Sequence, residues 1–241
     1  MNDTVIIRTE NLMKTYGMGG SFVNACDQVN IAVPERKFTA IIGPSGSGKS
    51  TLLHLLGGID NPSGGAVYVY EPRKGEEERR EAKAVNLYSL SKSKLAKFRG
   101  KNFGFVFQNY ALLPVLTAWE NVMIPSIYSG SPFDEAYALQ LFEKLGLADR
   151  IDHLPSELSG GEQQRVAVIR AIVSRPRILF ADEPTGNLDR KNGNELTELL
   201  LRIRDEENCT IVMVTHDPSI ADIADRVISM QDGRVTGVKD R

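Results

Sequence analysis

Short, nearly continuous apolar runs recur along the chain, separated by stretches in which apolar residues return at helical spacing. Residues 38–42, 103–107, 177–181 and 210–215 have the pattern of strands buried on both faces. Residues 5–8 and 66–70 read as short strands, and 29–33 alternates as another. Residues 227–230, followed by Gln231-Asp232-Gly233-Arg234, read as a last strand and hairpin turn. Helical spacing appears in Leu52, Leu53, Leu55 and Leu56, across 90–99, in Val166, Ile169, Ala171 and Ile172, and in Leu196, Leu199, Leu200 and Ile203. Strands alternating with helices predict an α/β fold. Helical patterns within 112–150, broken at Ser129-Gly130-Ser131-Pro132, predict a helical subdomain over about 111–165, with Trp119 and Phe142 in its core. Gly17-Met18-Gly19-Gly20 reads as a flexible turn, and 71–84, dense in charge of both signs, as a solvated insertion.

Composition narrows the class. With 41% hydrophobic and 25% charged residues in 241, the chain has the make-up of an ordinary soluble protein. A formal net charge of −2 gives no reason to expect a nucleic acid as partner. Cys26 and Cys209 lie far apart without metal-ligand spacing, and are expected as buried thiols in a reducing compartment. No apolar run approaches a membrane span, and Met1-Asn2-Asp3-Thr4 starts no signal peptide, so a cytoplasmic protein is expected.

Candidate chemistry centres on Gly43-Pro44-Ser45-Gly46-Ser47-Gly48-Lys49-Ser50-Thr51, which fits G-x-x-x-x-G-K-[ST] at every position between a strand and a helix. Gly43, Gly46 and Gly48 allow successive N–H groups to turn inward around phosphates, and the helix start adds its positive dipole end. Lys49 can reach the β- and γ-phosphates, and the Ser50 hydroxyl can ligate Mg²⁺. The motif predicts a nucleoside triphosphate site.

Further residues fall into line behind it. Asp182 ends an apolar strand, as a carboxylate holding Mg²⁺ through water does, and Glu183 beside it can accept a proton from an attacking water. Gln108 follows another strand and is a candidate for the metal or the water. His216 sits just past a third strand, on the ligand side of an open sheet, whereas His54 and His153 are taken as structural. Ser159-Gly160-Gly161 opens a second phosphate-compatible helix, for which a single-site chain has no need. That surplus suggests service to another copy's nucleotide; a plain helix start is the other reading. Tyr16, before a glycine turn, can stack on a purine, and taken alone also fits an ordinary half-buried tyrosine.

In this order, the P-loop, Gln108, Leu158-Ser159-Gly160-Gly161-Glu162-Gln163, Asp182-Glu183, Leu188-Asp189 and His216 resemble the ABC ATPases over the whole chain. Ala181-Asp182-Glu183-Pro184-Thr185-Gly186-Asn187-Leu188-Asp189 and Gly104-Phe105-Val106-Phe107-Gln108 are similar to the lipoprotein-release and macrolide-export group. The resemblance implies one ATP-binding domain, 1–241, with a P-loop core, an N-terminal antiparallel β subdomain and the helical subdomain. It also implies roles: Tyr16 as adenine platform, Gln108 on Mg²⁺ and the membrane subunit, Ser159 and Gly161 on the opposite copy's γ-phosphate. Glu183 takes the part of general base, Asp189 that of an interface aspartate, and His216 that of a γ-phosphate contact. Expected companions are ATP, Mg²⁺, a second copy and a separately encoded permease at the inner face of the membrane. A division-type ATPase transmitting force to cell-wall hydrolases shares these motifs. A soluble family member acting on DNA or ribosomes usually carries tandem cassettes, coiled coils or zinc modules, none of which occurs here. The 71–84 stretch is longer than usual for the family, and Pro34-Glu35-Arg36 replaces a common glycine-containing turn.

Overall fold

A computed structural model describes residues 4–18, 21–71 and 83–241; most of the expected 71–84 insertion and part of the 17–20 turn lie outside them. The elements begin with β1 (Val5–Met18), β2 (Ser21–Val29), β3 (Ala32–Pro34), β4 (Phe38–Ile42), α1 (Lys49–Leu56), β5 (Gly64–Tyr70) and β6 (Ala84–Asn86). Next come α2 (Lys92–Asn102), β7 (Phe103–Phe107), α3 (Ala118–Ser129), α4 (Glu135–Lys144) and α5 (Gly160–Ile172). Then follow β8 (Ile178–Asp182), α6 (Arg190–Glu207), β9 (Thr210–Val214), α7 (Pro218–Ile223), β10 (Arg226–Gln231) and β11 (Arg234–Asp240). Two compact units result: the chain through Leu95 together with His216–Arg241, and Ala96–Thr215.

In the first unit β1 lies between β2 and β5, antiparallel to both, pairs also with β3, and β6 continues the sheet beyond β5. This is the expected antiparallel β subdomain, but its leading strand has 14 residues where the sequence pattern marks four, 5–8. The extension carries Glu10, Asn11, Lys14 and Thr15, polar residues that no alternation rule selects, and is held by register with β2 and β5. The expected strand at 29–33 divides instead into the end of β2 and the separate β3. Elsewhere in this unit β10 runs parallel to β4, with Ile228 opposite Ile41, and antiparallel to β11. Phe38, Ala40 and Ile41 of β4 and Leu52, Leu55 and Leu56 of α1 are fully buried, so both faces of the strand are apolar.

The second unit is built on the parallel strands β7, β8 and β9, with Phe105 opposite Phe180 and Phe180 opposite Val212. The Phe180 ring stacks on Phe105 at 5.3 Å and meets Phe103 edge-on at 5.2 Å. Trp119 packs edge-on against Phe133 at 5.3 Å and lies 6.0 Å from Phe142; Phe142 is fully buried as expected of a core residue, whereas Trp119 is half-buried at the edge of the cluster. α5 lies so close to β7 that a Cβ on Gly104 would stand 2.2 Å from the Ala171 carbonyl oxygen. Both cysteines are buried, and burial pushes each thiol up to about 12, which keeps them protonated and unreactive.

Helix starts in this unit are built from their own side chains. Thr117 and Glu120 form a capping box on α3, and Ser159 and Glu162 form one on α5. In the latter, the Ser159 hydroxyl donates to Glu162 Oε2 at 2.7 Å, the Ser159 N–H donates to the same oxygen at 2.8 Å, and Arg150 Nε donates to Oε1 at 3.1 Å. The Ser159 hydroxyl, then its N–H, and Arg150 hold the Glu162 carboxyl at about 2, against an ordinary 4.5.

Gly104→Ala should destabilise the protein by about 1–3 kcal/mol, the cost of inserting a methyl group into a closed contact. Urea unfolding measures it, and an unchanged midpoint would show that β7 and α5 separate freely. Because its folded value lies below its unfolded one, the Glu162 carboxylate stabilises the fold fully above about pH 4.5, and that contribution is lost as pH falls from there through about 2. The melting-temperature gap between wild type and Glu162→Gln should therefore stay constant from neutral pH to about 5 and close below about 4.5. A gap that persists unchanged to pH 3 contradicts this assignment.

Candidate functional site

In the first unit β4 delivers the chain to the phosphate-binding loop, and α1 begins at Lys49 with Gly48 as its N-cap at φ 96°. A side chain is barred at either end of the loop by backbone, not by mobile groups. A Cβ on Gly43 would lie 2.1 Å from the Met230 carbonyl oxygen, and one on Gly48 1.9 Å from that of Ala25. Gly43, Gly46 and Gly48 all have positive φ, which turns the loop's N–H groups toward one side. Within this turn Ser47 is 2% exposed, and its hydroxyl has no hydrogen-bond partner among the described residues. Lys49 is 6% exposed, and its ammonium folds back onto the Pro44 carbonyl oxygen at 2.9 Å. A buried cation, an unsatisfied buried hydroxyl and a helix start without acidic residues in its first turn fit a phosphate group. Ser45 is exposed and Ser50 half-buried.

In the same unit, Tyr16 near the end of β1 shows a half-exposed ring, while its hydroxyl donates to Asp60 Oδ2 at 2.7 Å. Burial, then the bond to Asp60, raise its phenol; a side-chain hydrogen bond with Thr51 opposes them. His216 is exposed and immediately precedes Asp217, which caps α7 by accepting from the Ser219 N–H at 2.8 Å.

In the second unit the register Phe107–Asp182–Val214 ends β7, β8 and β9 at one level. Gln108, Asp182 and Glu183 thus emerge together at the carboxyl edge of the parallel strands, where ligands of open α/β sheets bind. Glu183 adopts a left-handed backbone at φ 44°, held by its N–H donating to Val214 O at 3.0 Å and its carbonyl accepting from Gly186 N at 3.0 Å. For a residue other than glycine this conformation carries strain, of the kind that collects where a side chain must be aimed. The Gln108 amide packs against Gly186, where a Cβ would lie 2.9 Å from Nε2, and the Asn187 amide donates to the Gln108 carbonyl at 2.8 Å. Asp182 and the amide oxygen of Gln108 are hard oxygen donors of the type that suits Mg²⁺.

Asp189 caps α6, accepting from the Asn192 N–H at 2.9 Å and from its amide at 2.7 Å; these bonds lower its carboxyl. Ser159, Gly160 and Gly161 form the first turn of α5, with Ser159 and Gly160 exposed and Gly161 half-exposed. Nothing closer than 3.6 Å would meet a Cβ on Gly161, whereas one on Gly160 would stand 3.1 Å from the Tyr110 hydroxyl.

Several contributors escape a motif search. Arg170 of α5 donates to Ala111 O at 2.5 Å and Tyr110 O at 2.7 Å, holding two residues of left-handed backbone just after Gln108. Burial lowers its guanidinium to about 10. Asn121, fully buried, accepts from the Leu113 N–H at 2.8 Å and donates to the carbonyls of Leu113, Leu116 and Thr117, so that the loop entering α3 is braced from within. The only sequence signal for either is a polar residue inside an apolar helical pattern.

Among the described residues no helix is long and apolar enough to cross a membrane. The lipoprotein-releasing system ATP-binding protein LolD of Xanthomonas oryzae pv. oryzae is 44% identical over 96% of this chain and 91% of its own. The macrolide export ATP-binding/permease protein MacB of Chlorobaculum tepidum is 45% identical over 98% of this chain, which spans 34% of that larger protein. A dimeric post-hydrolysis state of the ATP-binding cassette MJ0796, bound to ADP and Pi, superimposes with a TM-score of 0.84 at 37% identity, covering 98% of both chains. The sequence pattern of the ABC transporter family matches residues 26–186, and with these relatives it establishes that the chain belongs to that family.

Proposed function

We propose that this protein is the ATP-hydrolysing subunit of a transporter, pairing with a second copy around two ATP and driving a membrane permease encoded separately. The observation that carries the reading is the loop at Gly43–Gly48, whose closed backbone contacts, buried Lys49 and unsatisfied Ser47 suit a triphosphate. The whole chain, 1–241, acts as one ATP-binding domain, with 111–165 as its helical subdomain.

Lys49 and the N–H groups of Ser45 to Thr51 bind the phosphates, and Tyr16 offers its ring to adenine. Ser50, Asp182 and Gln108 hold Mg²⁺, which neutralises phosphate charge. Glu183 orients a water and takes its proton, and His216 together with Lys49 stabilises charge on the transferring phosphoryl group. Ser159, Gly160 and Gly161 of the second copy close over the γ-phosphate, and Asp189 lies at that interface. Ser159 must then exchange its bond to Glu162 for one to phosphate. Exposed Leu113 and Val115 after Gln108, with Ile127 and Tyr128 ending α3, offer apolar surface to the permease. That contact places the protein at the inner face of the membrane.

Glu183→Gln keeps shape and hydrogen bonding but cannot accept the proton. Turnover should fall roughly 10²–10⁴-fold, the usual contribution of a general base. ATP with Mg²⁺ should then accumulate a dimer, seen by light scattering, that ADP does not support. A protein that stays monomeric in saturating ATP, with or without its permease, or that dimerises equally with ADP, would refute the shared site.

A further inference from the structure

Tyr16 is held far more tightly than a stacking ring requires. Its hydroxyl donates to Asp60 Oδ2 at 2.7 Å, while Lys14 donates to Asp60 Oδ1 at 2.7 Å and to Asn61 O at 2.7 Å. The same ammonium lies 4.8 Å from the centre of the Tyr16 ring. Burial alone would raise the Asp60 carboxyl, but the bonds from Lys14 and Tyr16 override it and hold the group below its ordinary value, so both bonds are made to a charged acceptor.

Asp60 in turn lies four residues beyond α1 and is tied back to its end. The Ile59 N–H donates to His54 O at 2.8 Å, and the Tyr88 hydroxyl lies 2.5 Å from Leu55 O and 2.8 Å from Asp60 O. The Asn61 N–H closes the turn on Asp60 Oδ1 at 2.7 Å. The anchor for the ring is therefore fastened to the last turn of the helix whose first turn carries Lys49, Ser50 and Thr51.

We infer that Lys14 and Asp60 are positioning residues for the nucleotide base, locking the Tyr16 ring to the P-loop helix so that base and triphosphate meet one rigid template. The inference rests on the reading of Tyr16 as the base platform. Its physical advantage is pre-organisation: a ring already immobilised loses little freedom when a base stacks on it. None of these side chains is placed at the reacting phosphate, so the effect belongs to binding at the base end.

The test is a double-mutant cycle in the full-length chain, measuring by calorimetry the affinity for ATP and for inorganic tripolyphosphate, which has no base. Asp60→Ala should weaken ATP about 3- to 10-fold, the ordering cost of one side chain, and leave tripolyphosphate unchanged. Lys14→Met should act in the same direction. Asp60→Asn, which keeps an acceptor for the phenol, should recover most of the affinity and guards against a folding defect. In a Tyr16→Ala background, already weak for ATP, Asp60→Ala should add nothing. An equal loss in that background, or an equal loss for tripolyphosphate, would show that Asp60 supports α1 and not the ring. No loss from Asp60→Ala while Tyr16→Ala is weak would show that the ring needs no anchor. If Tyr16→Ala binds ATP as tightly as wild type, the base-platform reading itself fails, whatever Asp60 does.

Discussion

The nucleotide end of the first unit depends on backbone touching backbone on both sides of one loop. The Met230 carbonyl closes on Gly43 and the Ala25 carbonyl on Gly48, at separations that leave no room for even one methyl group. Further bonds finish the wedge: Gly233 N–H to Ser47 O at 3.1 Å, Asp27 N–H to Gly233 O at 2.9 Å, and Arg234 to Asp27 at 2.7 Å. Through the loop, the β10–β11 hairpin and β2 are thus fixed to each other. β2 is paired with the part of β1 that presents Tyr16, so ring and cradle share a frame. What the glycines provide is less a flexible hinge than permission for three segments to meet.

The sequence was most readable where burial is two-sided. β4, β7, β8 and β9 lie at the expected positions because a strand covered on both faces must be largely apolar, Thr39 and Thr210 being the buried exceptions, and a run such as Phe103 to Phe107 leaves little else. Helix starts were readable too, since Ser159 and Asp189 do their capping within three residues of themselves. The second half of β1 was not, because Lys14 and Thr15 belong to a ladder whose partners are supplied by β2 and β5, and bulges interrupt its register. The break between β2 and β3 follows a left-handed Gln28, which composition does not announce. The site divides in the same way. Motif positions follow from chemistry at fixed spacing, whereas Lys14 and Asp60 stand 46 residues apart and only the fold makes them neighbours.

Glu183 adds a different kind of information. Its left-handed backbone is held on one side by Val214 and on the other by Gly186, whose neighbour Asn187 is bonded to Gln108. The main-chain geometry from which the carboxylate departs is therefore shared with Gln108 and the turn before α6. The pair Asp182 and Glu183 can consequently be adjacent in sequence yet aimed differently, which a regular extended strand would also allow but would not hold so firmly.

Arg170 joins two parts of the second unit that a linear reading keeps separate. Its guanidinium holds the carbonyls of Tyr110 and Ala111, yet its backbone belongs to α5, the helix that begins at Ser159. A pull on the loop between Gln108 and Trp119 is consequently borne by a rod whose far end is the Ser159-Gly160-Gly161 turn. Because Asn121 stiffens that same loop at its other end, little of the load is absorbed on the way. Tyr110 closes the same connection from the other side: its carbonyl is held by Arg170, and its hydroxyl stands where a Cβ on Gly160 would meet it at 3.1 Å, so the loop grips α5 at both its last turn and its start.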